Sequence, residues 1–209
     1  MAHRKPIYFT SDWHIGHANC LKFDMRPFTD LDHMHRVLVN NYNSTVPKDG
    51  IGYFLGDMGL CASGLLKGII DQLNGTKILI WGNHDGGVQA MYNVGFDAVL
   101  CSASILIAGE VVTLSHHPLP GIVREDTSEM KGSIPGECYH GELRPNAKLY
   151  SVPNNGQFHL HGHIHSPNSG KSVKILDRQM DVGVVANGFR PINISLIESW
   201  IAKTKMAGG

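Results

Sequence analysis

Aspartate, histidine and asparagine recur in five short stretches: Asp12-Trp13-His14, Gly56-Asp57-Met58-Gly59, Gly82-Asn83-His84-Asp85, Ser115-His116-His117-Pro118 and His161-Gly162-His163. Each follows an apolar run that reads as a β-strand. Carboxylate oxygen and imidazole nitrogen without sulfur form a donor set that suits divalent ions keeping open positions for water, and it argues against a closed structural zinc site. Two such ions about 3.5–4 Å apart need a shared anion to offset their repulsion. Asp57, in the tight Gly56-x-x-Gly59 setting, is the candidate bridge. Manganese is the preferred ion, with iron, zinc, nickel or magnesium as alternatives.

The apolar runs that must carry these loops are residues 5–11 (KPIYFTS), 51–55 (IGYFL) and 77–81 (KILIW). Helical spacing over 30–42 and 61–73 separates them, the second closed by Asn74-Gly75, so the first part of the chain reads as parallel β-α-β units. In open α/β sheets, ligands sit beyond the carboxyl ends of the strands, which is where Asp12, Asp57 and Asn83 fall. Strands over 99–107 and 111–114 flank Ala108-Gly109-Glu110 as a hairpin, implying a change to antiparallel pairing. Further strands are expected at 157–161, 173–176, 180–185 and 192–194, and a closing helix at 196–206. The predicted class is α/β: two mixed sheets packed as a sandwich and flanked by helices. The segment 119–155, rich in Gly, Pro and charge without sustained periodicity, is expected to be a lid or substrate loop within a single domain spanning 1–209.

With 209 residues, 42% of them hydrophobic, the chain suffices for one sizeable core. Lys+Arg and Asp+Glu both number 18, so no net charge draws it to nucleic acid or an anionic membrane, and a small substrate is favoured over either. Neither an apolar leader nor a run near the roughly 20 apolar residues of a membrane span is present, and a cytoplasmic location is expected. Cys20, Cys61, Cys101 and Cys138 stand far apart without a C-x-x-C pair, which points to reduced, packing thiols.

The series D-x-H, G-D, G-N-H-[DE], a later His, and G-H-x-H or H-G-H resembles the calcineurin-like metallophosphoesterase superfamily over residues 7–163. Ser11-Asp12-x-His14-x-x-His17 followed by Arg26-Pro27-Phe28 resembles its small single-domain predicted phosphoesterases of bacteria and phages. The resemblance implies the α/β/β/α sandwich of that superfamily and a two-metal phosphoesterase. It assigns Asp12, His14 and His163 to one metal, Asn83, His116 and His161 to the other, and Asp57 to both. A hydroxide between the metals is expected to attack phosphorus in line, with Asn83 and His84 holding phosphoryl oxygens and His84 protonating the leaving group. The protein-phosphatase branch places a second aspartate three residues after the bridging one to orient that histidine; here the position is Leu60. Asp85 is expected to shape its turn or cap the next helix.

Small phosphodiesters, cyclic nucleotides included, are the preferred substrates, with phosphomonoesterase or nuclease activity as alternatives. A non-catalytic metal-binding scaffold, like the retromer subunit of this fold, is the rival from another class; retention of His84 speaks against it. Arg26 leads as the phosphate grip, because a guanidinium binds phosphate bidentately, ahead of Arg124, Arg144 and Arg190. His17 and His117 are further candidates for substrate contact. His159 reads as support beneath the site or as core, His33 and His35 as surface, and His3, His140 and His165 are unassigned.

Overall fold

Alternation along the first strands divides their side chains between two layers. The computed structural model describes residues 5–119, 152–166 and 178–207, and the backbone of residues 123–124, 138–139, 142–143 and 173–174. Strands β1 (Ile7–Thr10), β2 (Ile51–Phe54), β3 (Thr76–Ile80) and β4 (Ala98–Leu100) run parallel, and β13 (Ile192–Asn193) lies antiparallel beside β1. Tyr8, Phe54, Leu79 and Val99 face a helical layer, where they pack with Met34, Leu38, Tyr42, Leu66, Ile70 and Met91. Phe9, Leu55 and Ile80 project to the opposite side.

The helical layer consists of α2 (Leu31–Thr45), α3 (Ser63–Ile70) and α4 (Val88–Asn93). Met34, Leu38 and Tyr42 recur every four residues on α2 and are buried, while Asp30 caps the helix by accepting the His33 amide at 2.7 Å. A short α1 (Asn19–Phe23), not expected from the sequence, lies in the first long loop.

The second sheet runs β12 (Gln179–Asp181), β10 (Phe158–His161), β6 (Glu110–Leu114), β5 (Ala103–Ile107); β5 and β6 form the expected hairpin, and β10 is parallel to both neighbours. Ile107, Val112, Leu114, Phe158 and Leu160 from this sheet meet Phe9, Leu55 and Ile80 from the first, joined by Ile197 and Ile201 of the closing helix α5 (Ile194–Ala207). Burying each such side chain contributes roughly 1.5–3 kcal/mol, and this cluster welds the sheets together. Two further antiparallel pairs are β7 (Val123–Arg124) with β11 (Val173–Lys174) and β8 (Cys138–Tyr139) with β9 (Glu142–Leu143). No helix among the described residues is long and apolar enough to cross a membrane.

The two mixed sheets flanked by helices are as expected; several boundaries are not. The single strand over 99–107 is split, β4 ending at Leu100 and β5 beginning at Ala103. Val99 must bury against the helices and Ile107 between the sheets, so the chain crosses from one sheet to the other at Cys101-Ser102. The strand over 180–185 is reduced to β12, after which Gly183 makes an isolated parallel bridge to Ser11. Ile194 begins α5 rather than ending a strand. The lid segment 119–155 falls largely outside the described residues, as do His3, His140 and Arg144.

Candidate metal centre

The in-register parallel pairing of β1, β2 and β3 brings the loops after them to one edge, where they are laced together. The amides of Asp12, His14 and Ile15 donate to the carbonyls of Gly56, Asp57 and Met58 at 3.0, 3.1 and 3.0 Å. Asp12, His14 and Asp57 sit in the left-handed region, with φ of 60°, 52° and 56°. Non-glycine residues there cost of order 1–3 kcal/mol each, strain that clusters where side chains must be aimed. Gly56 (φ 86°) is required twice over, since a Cβ there would lie 2.5 Å from His116 Nδ1. At Gly162 a Cβ would lie 2.3 Å from Asp12 Oδ2.

One group of donors is Asp12, His14 and His165, whose ligand atoms all lie within 4.8 Å of one another. His165 Nε2 is 3.0 Å from His14 Nε2 and 3.4 Å from Asp12 Oδ1, and its Nδ1–H donates to Asp24 Oδ1 at 2.9 Å. Asp12 also accepts the His163 amide at 3.1 and 3.0 Å and the Ser11 hydroxyl at 2.6 Å.

Around His116 lies a second group. Its Nδ1–H donates to the Leu55 carbonyl at 2.7 Å, which turns Nε2 toward Asn83 Oδ1 at 3.1 Å, His163 Nδ1 at 3.1 Å and Asp57 Oδ2 at 3.3 Å. His117 offers a nitrogen within 4.8 Å of those of His116 and His163. Asp57 stands between the groups: its Oδ2 is 3.7 Å from His14 Nε2 and 4.0 Å from His84 Nε2.

Electrostatics follow from this packing. Burial alone would raise Asp12 and Asp57, yet His165 beside the first and His116 beside the second hold both carboxyls well below their usual range. Burial disfavours charge on His116 and His165, but Asp57 raises the former to about 9, and Asp12 and Asp24 raise the latter to about 10. Burial, with His165 beside it, pushes His14 down to about 3. Nitrogens facing one another at 3.0 and 3.1 Å, as in His14–His165 and His116–His163, require a proton or a cation between them. The buried Nε2 of His161 has no hydrogen-bond partner. These oxygen and nitrogen donors fit a divalent ion, so the buried Asp and His groups could hold metal.

The placement of the expected residues is uneven. Asp12, His14, Asp57, Asn83, His116 and His163 converge. The His163 ring, however, lies against His116 and His117 while its backbone amide donates to Asp12, and the position beside the Asp12 and His14 side chains is taken by the His165 ring. The register is two residues later than expected: Gly162-His163-Ile164-His165 is the G-H-x-H reading of the same segment. His161 belongs to neither group and is fully buried, donating through Nδ1 to the Gly162 carbonyl at 2.9 Å.

Arg26 is corrected from a substrate grip to a buried structural group. Its side chain is 0% exposed, and its donors go to Asp24 and to the carbonyls of Asp12 and Trp13 at 2.9 and 3.0 Å. Arg190 reaches Ser44 at 3.3 Å and is not part of the site, and the Arg124 side chain lies outside the described residues. His35 is buried rather than on the surface, accepting the Gly16 amide at 3.1 Å, and His33 is half-buried, its ring packed on Phe28. His84 keeps 44% of its side chain exposed, with its amide donating to Asp57 Oδ1 at 2.9 Å. His17 approaches the His14 ring at 5.6 Å, and His117 the His163 ring at 4.5 Å. His159 Nε2–H donates to the His117 carbonyl at 3.1 Å, which supports the loop from beneath.

Asp85 shapes its turn more extensively than expected: one carboxylate accepts the amides of Gly82, Asp57 and Met58 at 2.8, 3.0 and 2.8 Å. Burial and the neighbouring Asp57 charge push it up to about 6. Asp24 was not foreseen, having no motif to mark it.

No family model matches the chain. It is 41% identical over 83 residues to the uncharacterized protein MJ1445 of Methanocaldococcus jannaschii, an alignment covering 39% of this chain and 47% of that protein, so it spans about half of that relative's length. Over 203 residues it is 32% identical to the Gene 66 protein of Mycobacterium phage L5, covering 87% of each. Among solved structures it is similar to the protein of unknown function AQ665 from Aquifex aeolicus, with a TM-score of 0.66 and 21% identity over 94% of this chain and 99% of the other, a likeness of fold.

Proposed function

We infer that this chain, which belongs to the family of the Gene 66 protein of Mycobacterium phage L5, is a dinuclear metal-dependent phosphoesterase of the calcineurin-like superfamily. The observation that carries the reading is the convergence on Asp57 Oδ2 of three imidazole nitrogens: His116 at 3.3 Å, His14 at 3.7 Å and the non-ligand His84 at 4.0 Å. Asp12, His14 and His165 would hold one ion, Asn83, His116 and His163 the other, and Asp57 both. Two such ions, when bound, supply Lewis-acid charge for phosphoryl oxygens and lower the pKa of water.

The chain's own part is positional. Asp85 fixes the loop amides around Asp57, and the Asp57 carboxylate fixes the backbone of His84. The exposed His84 ring then stands at the mouth, where an imidazole can pass a proton to a leaving alkoxide. Leu60 is half exposed and supplies no carboxylate to orient that ring, which leaves Asp57, at 4.0 Å, as the acid paired with it among the described residues.

Small phosphodiesters, cyclic nucleotides included, are the proposed substrates, on the strength of the balanced charge and modest size of the chain. Protein stripped with chelator and reloaded with Mn²⁺ is expected to hydrolyse bis-p-nitrophenyl phosphate faster than p-nitrophenyl phosphate. The opposite order would make it a phosphomonoesterase; no turnover with Mn²⁺, Fe²⁺, Zn²⁺, Ni²⁺ or Mg²⁺ would remove the enzyme reading. His84→Ala is expected to keep its metal content and lose about 10²–10⁴-fold in rate.

A further inference from the structure

We propose that Asp24 and Arg26 are positioning residues that brace the Asp12–His14–His165 group alone, so that one of the two metal positions is tuned by a buried ion pair and the other is not. The inference rests on the metal-centre part of the functional reading and is independent of the substrate.

The pair is expensive to bury. Arg26 is 0% and Asp24 7% exposed in the side chain, and taking two charges out of water is compensated only where their remaining hydrogen-bonding capacity is satisfied. Here it is used mainly toward one end, with one further donation from Arg26 Nη1 to Met34 Sδ of α2 at 3.6 Å. Asp24 Oδ2 accepts from Arg26 Nε and Nη2 at 3.0 and 2.9 Å. Asp24 Oδ1 accepts from His165 Nδ1 at 2.9 Å. Arg26 Nη2 and Nη1 donate to the carbonyls of Asp12 and Trp13 at 2.9 and 3.0 Å. Two members of the group are thereby touched, His165 by its ring and Asp12 by its own carbonyl, and the backbone leading into His14 is held through the Trp13 carbonyl.

Local structure is built to deliver the pair. The Asp24 amide closes α1 by donating to Cys20 at 3.1 Å, Met25 takes a left-handed φ of 48°, and the Arg26 amide returns to the Leu21 carbonyl at 3.0 Å. This turn points Asp24 and Arg26 inward while Met25 between them stays 84% exposed. A carboxylate on Nδ1 fixes the tautomer and ring plane of His165 and leaves Nε2 for a cation, the arrangement that commonly supports metal-binding histidines. The other group has a weaker device, the Leu55 carbonyl on His116 Nδ1 at 2.7 Å.

The test measures Mn²⁺ affinity and stoichiometry by equilibrium dialysis with metal analysis, together with electron paramagnetic resonance of the bound ions. Wild-type protein is expected to bind two ions per chain with the spectrum of a coupled pair. Asp24→Ala is expected to keep one affinity unchanged, weaken the other by about 10–100-fold, and show the hyperfine-split spectrum of an isolated ion at intermediate Mn²⁺. Asp24→Asn, which keeps an acceptor for His165 but not the charge, should fall between the two and serves if the alanine variant does not fold. Two unchanged affinities in a folded variant, or equal weakening of both, would overturn the brace while leaving the metal reading intact. Wild-type protein that binds no metal would overturn both.

Discussion

Two halves of one centre are held by different means. The Asp12–His14–His165 half is backed by side chains: a buried Asp24–Arg26 pair lies behind it, with Asp12 and His14 buried and the His165 ring 23% exposed. The Asp57–His116–His163 half is anchored on main chain, through the Leu55 carbonyl and the Asp85-bound amides, and opens through the exposed Asn83 and His84. The difference separates holding from reacting. In the proposed phosphoesterase, the charge-braced side would keep its ligands aimed and the backbone-anchored side would leave room for a substrate to approach.

The largest expected effect comes from the residue the halves share. Asp57→Asn removes the anion between them and should lower both metal affinities and cut phosphodiester hydrolysis by about 10³-fold or more, equivalent to roughly 4 kcal/mol; dialysis and steady-state kinetics on one sample check it. Retention of both ions would break the comparison at its centre.

Next in size is a pair of variants that tests the register. His165→Ala should lose one metal position, whereas His161→Ala should retain both and lower stability instead, by about 1–3 kcal/mol, as expected when a buried hydrogen-bonding side chain is truncated. Metal analysis and denaturant unfolding of the two variants separate these outcomes. The reverse pattern would restore the original assignment.

The smallest effect is on the pH dependence of metal-free protein. Burial holds His14, His117, His159 and His161 below the ordinary imidazole value of 6.5, so what they contribute to stability is complete above that pH and lost as pH falls. Asp12 and Asp57, depressed by their histidine partners, add a further loss below about pH 4. His116 and His165 are raised, so their contribution is complete below 6.5 and lost as pH rises through about 9 and about 10. Calorimetry under chelator should give a maximum near neutral pH with a steeper acid limb. Added Mn²⁺ should flatten the alkaline limb, because a cation replaces the proton in each half.

Much of this was legible in the chain. Strand runs ending in Asp12, Asp57 and Asn83 predicted both the parallel sheet and the edge where the donors meet, because a strand's end and its loop are local properties. The break in 99–107 was not legible, since Val99 and Ile107 are equally apolar and only tertiary packing assigns them to different layers. Choosing Gly162-His163-Ile164-His165 over His161-Gly162-His163 needed the backbone: His163 and His165, at φ of 70° and 46°, carry their rings to His116 and His14, whereas His161 remains in β10. Arg26 misled because an arginine near a phosphate motif suggests a grip; the partner that engages it, Asp24, carries no motif of its own.

Anomalous diffraction at the manganese edge from crystals of Mn²⁺-loaded protein tests the central claim most directly. The account predicts two peaks about 3.5–4 Å apart, one among Asp12, His14 and His165, one among Asn83, His116 and His163, with Asp57 between them. A single peak, or density centred on His161, would contradict it.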